Sequence, residues 1–180
     1  MLESRVLIRD EIKDIWQIDR SELVEAVYRI VDGNLVLRAE RHEASGWVPG
    51  RPERDTPVLE ACFDRGGWFY GFFDDRKPVG VVVLESRFIG SGRDQLQLSF
   101  LHVGNRYRDR GLGGHLFRAA AAEARRRGAK RLYVSATPSE HTVNFYLGLG
   151  CTLAATPEPE LFALEPEDIH LEYDLGIHGA

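Results

Sequence analysis

The sequence predicts a mixed α/β (α+β) chain built on one sheet, with helices on both faces. Three observations carry that reading. In "WFYGFFDDRKPVGVVVLESRF", Trp68 to Phe88, two runs rich in aromatic and β-branched residues flank the turn Asp74-Asp75-Arg76-Lys77, which is a hairpin pattern. The Ala-rich stretch from Leu112 to Arg127 reads as a helix stopped by Gly128, with arginines in its last turn where the macrodipole favours cations. Strand-like runs bracket that helix: "QLQLSFLHV" (Gln95 to Val103), which alternates, and "RLYVSAT" (Arg131 to Thr137), which is apolar enough to be buried. At 180 residues the chain is long enough for one domain with a real core, spanning 1–180.

The other elements follow in order. "RVLIRD" (Arg5 to Asp10) alternates as a first strand. From Asp10 to Ile30, the residues Ile12, Ile15, Trp16, Leu23 and Val27 fall at helical spacings, and Ser21-Glu22 offers the start of a second helical piece. Leu35 to Thr56 is polar and irregular and reads as a long loop, a length that often signals function. Pro57 to Arg65 reads as a short helix closed by Gly66-Gly67. Thr137-Pro138-Ser139-Glu140 has the pattern of a capping box with Pro at the first helical position, opening a helix to about Gly148. "CTLAAT" and "IHLEYDL" (Ile169 to Leu175) are the last strands.

Composition bounds the function classes. The chain is 43% hydrophobic and 28% charged, as expected of a soluble globular protein. No apolar run approaches the roughly 18 residues of a membrane span. The N-terminal residues lead straight into a strand-like run, so no secretory leader is expected. Cys62 and Cys151 form neither a disulfide framework nor a metal motif, and a reducing cytoplasm is the default compartment. The net charge of −5 argues against a nucleic-acid partner and would suit a cationic substrate.

The chemistry concentrates in "NRYRDRGLGGHLF", Asn105 to Phe117, between a strand and a helix. Helix N-termini leave backbone N–H groups unpaired and carry the positive end of the dipole. Glycines let the backbone approach a ligand, and arginines add charge-assisted hydrogen bonds. This is an anion site, and phosphate is its usual occupant. The stretch lacks the Gly-Lys-Ser/Thr ending of an NTPase P-loop, and Gly111, Gly113 and Gly114 miss the dinucleotide G-x-G-x-x-G spacing. Read alone, it is either such a site or a glycine-rich turn with solvated arginines.

From Val103 the sequence reads V-x-x-x-x-R-x-x-G-x-G, with Arg108, Gly111 and Gly113 in place. This resembles the acetyl-CoA signature of the GNAT superfamily of N-acetyltransferases. Downstream, Ser139, Thr142, Phe145, Tyr146 and Gly150 follow the family's second motif, and Val79-Gly80 matches its central hairpin. The two motifs cover Leu96 to Leu153, and the element order extends the likeness over nearly the whole chain. The resemblance implies one central mixed, mostly antiparallel sheet of about seven strands with a V-shaped splay between the fourth and fifth, Gln95–Val103 and Arg131–Thr137. It implies acetyl-CoA as donor and a primary amine as acceptor, with direct attack of the amine on the thioester. Backbone N–H groups of Arg108, Asp109, Arg110, Gly111, Leu112, Gly113 and Gly114 would hold the pyrophosphate. Backbone groups at Leu101 and Val103 would pair with the pantetheine arm, and one of them would act as an oxyanion donor. Ser139 and Asn144 would contact the arm, and Tyr146 would protonate the leaving thiolate. No metal is implied. The chain would be a monomer or homodimer.

The sequence departs from that pattern in informative places. Many relatives carry a glutamate base where this chain has Gln97, which cannot take a proton. Glu85, the pair His170 and Glu172 on one strand face, and His102 are the alternative bases, although strand parity turns His102 away from Leu101 and Val103 unless a bulge intervenes. The second motif opens with Ser139 in place of Asn and closes with Gly150-Cys151. The acceptor site falls to Arg41–Asp55, where Trp47 is either a wall or an anchor for the loop. Glu158, Glu160, Glu165, Glu167 and Asp168 form either an attractor for a cationic amine or a solvated loop. Two other classes remain open: an acyl-CoA sensor without turnover, and a nucleic-acid binder using "RRRGAKR", Arg125 to Arg131.

Overall fold

The structure, a computed structural model, describes residues 1–177, so the last three positions of the expected 1–180 domain lie outside the described residues. Nine strands are present: β1 (Leu2–Val6), β2 (Glu22–Val31), β3 (Asn34–Ala44), β4 (Trp68–Asp74), β5 (Lys77–Ile89), β6 (Gln95–Val103), β7 (Arg131–Ala136), β8 (Thr152–Leu153) and β9 (Ile169–Asp174). The helices are α1 (Arg51–Asp64), α2 (Leu112–Arg126), α3 (Glu140–Gly148) and α4 (Pro159–Leu164), with 3₁₀ turns at Arg9–Gln17 and Asn105–Tyr107. Seven strands form one sheet in the order β1-β4-β5-β6-β7-β9-β8, and β2-β3 form a separate ribbon. Every pairing in the large sheet is antiparallel except β6–β7.

The sheet carries a core on each face. Val82, Leu84, Leu96, Leu98, Leu132, Val134, Ile169 and Leu171 point one way and bury against Leu116, Phe117, Ala120 and Ala124 of α2 and Val143 and Tyr146 of α3. Val81, Val83, Phe69, Phe73 and Phe100 point the other way and bury against Ile12 and Ile15 of the first 3₁₀ segment and Leu59 and Cys62 of α1. Helices therefore cover both faces, as the strand patterning requires.

Four expectations are corrected. The helical spacing of Ile12, Ile15 and Trp16 is real but ends in a 3₁₀ segment at Gln17, and Glu22–Val31 is a strand. The expected loop from Leu35 to Thr56 is instead β3 followed by the first turn of α1, which begins at Arg51. Only Thr152 and Leu153 of the expected "CTLAAT" strand pair, and the acidic loop after it contains α4. At α3 the N-cap is Ser139, with Pro138 outside the helix. Its hydroxyl bonds Thr142 Oγ1 at 2.9 Å in place of a backbone cap bond, so the capping box is absent.

The arginines ending α2 are tied down. Arg126 and Arg127 both ion-pair with Glu123, at 2.6 and 2.7 Å, and Arg125 Nε donates to Leu175 O. Arg131 faces Asp94 and Glu172. These contacts give the basic run a structural role. The Arg126 and Arg127 guanidiniums hold the Glu123 carboxyl down at about 2. A carboxylate depressed in the fold contributes stability above its unfolded pKa, and that contribution is lost as pH falls from about 4.5 through about 2. Glu123→Gln should lower stability at pH 7 by about 1 kcal/mol, since solvent screens the exposed Arg126. The difference from wild type in urea-unfolding free energy should vanish near pH 2.

Candidate active site

The site begins with what β6 does along its length. Its first three residues pair with β7 in parallel, Gln95 with Arg131, Leu96 with Leu132 and Gln97 with Tyr133, and the two strands then part. On its other edge β6 pairs with β5 up to Val103–Gly80, but the register shifts between Leu98 and Phe100. Ser99 is the extra, exposed residue of a bulge. The bulge reverses the side-chain alternation: Leu98 lies in the core under α2, Phe100 in the core under α1, and Leu101 and Val103 again on the α2 side. It also fixes the backbone. Gly104 N–H bonds Val79 O at 2.8 Å, so the alternation of an antiparallel ladder turns the N–H and C=O groups of Val103 and Leu101 away from β5 and into the splay.

The glycine-rich loop closes one end of that splay. Gly111 is the N-cap of α2 with φ 79°, in the left-handed region, and Asp109 shares that region at φ 59°. The first helical bond runs from His115 N–H to Gly111 O, which leaves the N–H groups of Leu112, Gly113 and Gly114 as the free donors of the first turn. A Cβ on Gly113 would lie 3.1 Å from the Phe145 ring, so this glycine lets α2 and α3 meet. A Cβ on Gly114 would meet only the flexible end of Arg118. Arg110 rests on the Tyr107 ring. Arg108 turns inward: its Nε donates to Val103 O at 3.2 Å, one Nη donates to Ser21 O at 3.1 Å, and it faces Glu22 at 3.7 Å. Its side chain thus braces the loop against the segment that leads into β2.

The same segment crosses the open end of the splay. Asn105 N–H bonds Asp19 O and its side-chain amide bonds Ser21 O, beside the end of β6. Tyr28 N–H bonds Pro138 O, and Val27 bridges Ser139, beside the end of β7. The Tyr28 hydroxyl donates to Asn144 Oδ1 at 2.8 Å. The ribbon therefore already engages both Ser139, which is buried, and Asn144, which is exposed.

Tyr146 sits on α3 against Phe117 and Phe145, buried except for 5% of its surface. Among the described residues no hydrogen bond holds its hydroxyl. Burial, with Cys151 adding to it, raises its pKa above the ordinary tyrosine value.

The alternative bases resolve differently. Glu85 is paired with Arg65 at 2.6 Å. Both His170 nitrogens are engaged, Nδ1 with the Tyr133 hydroxyl at 2.6 Å and Nε2 with Glu165 O at 3.2 Å, and Glu172 faces Arg131. His102 is turned away from Leu101 and Val103, as strand parity requires, since the bulge at Ser99 lies before all three; its ring packs on the α1 side against Trp47 at 4.8 Å and Phe100 at 4.5 Å. Burial, then the nearby Arg20, Arg51 and Arg108, hold its pKa down at about 3. Trp47 is an anchor: its Nε1 donates to Ile18 O at 3.0 Å, and Phe100 stacks on it. Of the acidic residues near the C-terminus, Glu167 faces Arg29, Glu158 accepts from Gly90 N–H, and Asp168 accepts from Ser135 Oγ. Burial raises the Asp168 pKa. The arginines Arg20 and Arg51 over the Trp47 ring were missed at the sequence level. The strand parity that places His102 beside Trp47 depends on a bulge that no residue type announces.

Known proteins of this fold are recognisable. The nourseothricin acetyltransferase structure superposes with a TM-score of 0.73 at 19% identity, covering 97% of this chain and 98% of that one. A putative streptothricin acetyltransferase from Bacillus anthracis, in complex with acetyl coenzyme A, gives 0.69 at 15% identity over 96% of both chains. The PaiA N-acetyltransferase from Thermoplasma acidophilum, in complex with coenzyme A, gives 0.64 at 16% identity over 97% and 99%. No curated protein matches the sequence. These likenesses define the class of fold, the mixed α/β acetyltransferase fold with a splayed sheet. Residues 35–150 match the Acetyltransferase (GNAT) family model, and the chain belongs to that family.

One expectation concerns His102. An imidazole held neutral in the fold but titrating near 6.5 when unfolded removes stability as pH falls below about 6.5, down to about 3. The His102 ring resonances should stay flat in an NMR titration from pH 8 to about 5, below the usual histidine range. His102→Gln should flatten the acid side of the stability profile. A midpoint for His102 near 6.5 would contradict this geometry.

Proposed function

We propose that the protein transfers an acetyl group from acetyl-CoA to a primary amine by direct attack within a ternary complex. The observation that carries this reading is the inner edge of β6: backbone groups at Leu101, and the N–H of Val103, have no strand partner and face the splay beside a helix start rich in free N–H donors. The pantetheine arm fits there as an added strand. The pyrophosphate fits against the backbone from Arg108 to Gly114, at the positive end of α2. Ser139 and Asn144 act through the ribbon strand that covers them, and meet the arm only where Tyr28 leaves room. The complexes of similar structures with acetyl-CoA and CoA support this choice of donor.

Tyr146 is the proposed acid. Its buried hydroxyl keeps its proton at physiological pH and is free to donate to the emerging thiolate. Raising its pKa makes full transfer harder, but hydrogen-bond donation to sulfur survives that cost, and solvent restores any proton given up. With no glutamate on β6, and with burial and then the nearby arginines leaving His102 too weak a base, the amine reaches the site after losing its proton to solvent-linked groups. The domain assignment 1–180, a cytoplasmic setting and a monomeric or homodimeric state belong to the same proposal.

Two measurements test it. Acetyl-CoA or CoA should raise the melting temperature where adenosine does not. Gly114→Glu should abolish the shift with little change in the free protein's Tm, because its Cβ has room and a glutamate there suits a helix start but repels phosphate. Tyr146→Phe should keep acetyl-CoA affinity while the single-turnover rate falls by about 10²–10⁴-fold. Binding without any thiol release across an amine panel would instead identify an acyl-CoA sensor. An unchanged single-turnover rate in Tyr146→Phe would assign that ring to packing alone.

A further inference from the structure

Outside the groups assigned to acetyl transfer, one half-buried cation stands without an anion. Arg20 places its guanidinium over the Trp47 ring, 5.1 Å from the centroid, and among the described residues it makes no hydrogen bond or ion pair. Arg51 approaches the same indole at 5.7 Å. Arg108 stands near both, so that Arg51 and Arg108 repel Arg20, and all three act on His102.

The acids nearby are already engaged. Asp55 accepts from Arg51 at 3.0 Å and from Arg54 at 2.6 Å. Glu22, the carboxylate that acts on Arg20, faces Arg108 at 3.7 Å. Asp168 accepts from Ser135 Oγ and is drawn by Arg51. An arginine does not shed its proton when partly buried, so the desolvation of Arg20 is offset only by the Trp47 ring and by Glu22, which it shares with Arg108. Burial first, then Arg51 and Arg108, press on its charged form against the opposing pull of Glu22.

The location says whose anion it is. Trp47 packs on Phe100 and His102, on the α1 side of β6, whereas the glycine-rich start of α2 lies with the opposite core. Arg20 and Arg51 thus lie over Trp47 on the α1 side of the sheet, while Arg108 acts on Arg20 from the loop proposed for the pyrophosphate. His102 is flanked by Leu101 and Val103, whose backbone faces the cleft, so the arginine group overlooks the reacting end from the acceptor's side. We infer that Arg20, with Arg51 and the Trp47 ring, is the subsite for an anionic group on the acceptor, which is therefore an amine that also carries a carboxylate or a phosphate. The planar guanidinium matches either group with two parallel hydrogen bonds. The chain's net charge of −5, which suited a cationic acceptor, does not set the field at this point. The inference rests on the acetyltransferase reading and names its substrate class.

The test is an acceptor panel in matched sets: α-amino acids, their primary amides, aminoalkyl phosphonates and diamines, each with acetyl-CoA and read by free thiol. Acids should exceed their own amides by about 10²-fold or more in kcat/KM, the scale on which a site built for a polar group rejects an analogue lacking it. The carboxylate and phosphonate sets decide between the two anions. Arg20→Gln should raise KM for the anionic acceptor by about 10–10²-fold. Arg20→Lys should recover part of it, and the acetyl-CoA-induced thermal shift should stay unchanged. Since the Trp47 ring is Arg20's one contact in the fold among the described residues, Tm without ligand should fall only slightly in Arg20→Gln. A second arm needs no turnover: succinate and methylphosphonate, titrated with CoA present, should perturb Trp47 fluorescence in the wild type and not in Arg20→Gln. Preference for amides or diamines, or an anion response that survives Arg20→Gln, overturns the subsite and leaves acetyl transfer standing. Absence of any acetyl-CoA shift would remove the acetyltransferase reading, and the succinate and methylphosphonate arm would still decide whether Arg20 binds anions.

Discussion

The constraint on which the rest depends is that β6 has a partner for only part of its inner edge. Three residue pairs join it to β7, and beyond Gln97 the strands separate. Unpaired backbone groups inside a protein are costly unless something bonds them. The fold meets that cost unevenly. Arg108 donates to Val103 O, while the groups at Leu101 are left to whatever enters the cleft. The ribbon keeps the gap defined by tying its first residues to the loop after β6 and its middle to the loop after β7. The same bonds that keep the cleft open therefore limit which side chains stand around it.

The bulge at Ser99 is the second half of that constraint. Without an extra residue, Phe100 would stay in phase with Leu96 and Leu98 and point under α2. With it, Phe100 and His102 join Trp16 and Trp47 on the other face, while Leu101 and Val103 remain over α2. One inserted residue thus gives the strand an apolar face toward α2 and an aromatic, arginine-rimmed face toward α1.

Much of this was legible from residue order, and the failures have physical reasons. The hairpin β4–β5, helix α2 and the strands β6, β7 and β9 announced themselves because each buries a full face and so shows its period. The glycine-rich start of α2 was legible because Gly111 sits between a strand and an apolar helical run, where the chain must turn with positive φ. The ribbon was not. Val24 and Val27 are its buried residues, and the register shift between Val24 and Ala26 puts them three apart, a helical spacing on a strand. β3 buries almost nothing, so "LRAERHE" shows no apolar alternation and reads as loop. Arg20 carried no signal at all, because an arginine before a polar turn is ordinary, and only the fold sets it over an indole with its like-charged neighbours.

The polarity of β3 has a consequence of its own. Among the described residues it pairs with β2 alone, so one long edge offers bare N–H and C=O groups to the surroundings. Such an edge invites another chain to add a strand, and runs of charge are among the devices that discourage it. Arg38, Glu40, Arg41 and Glu43 supply that charge in both signs, and Arg29 across the ribbon ties Glu40 down. An incoming strand would have to strip water from these side chains before gaining its first ladder bond. The segment that is least readable as structure is thereby the one whose charge guards an open strand edge.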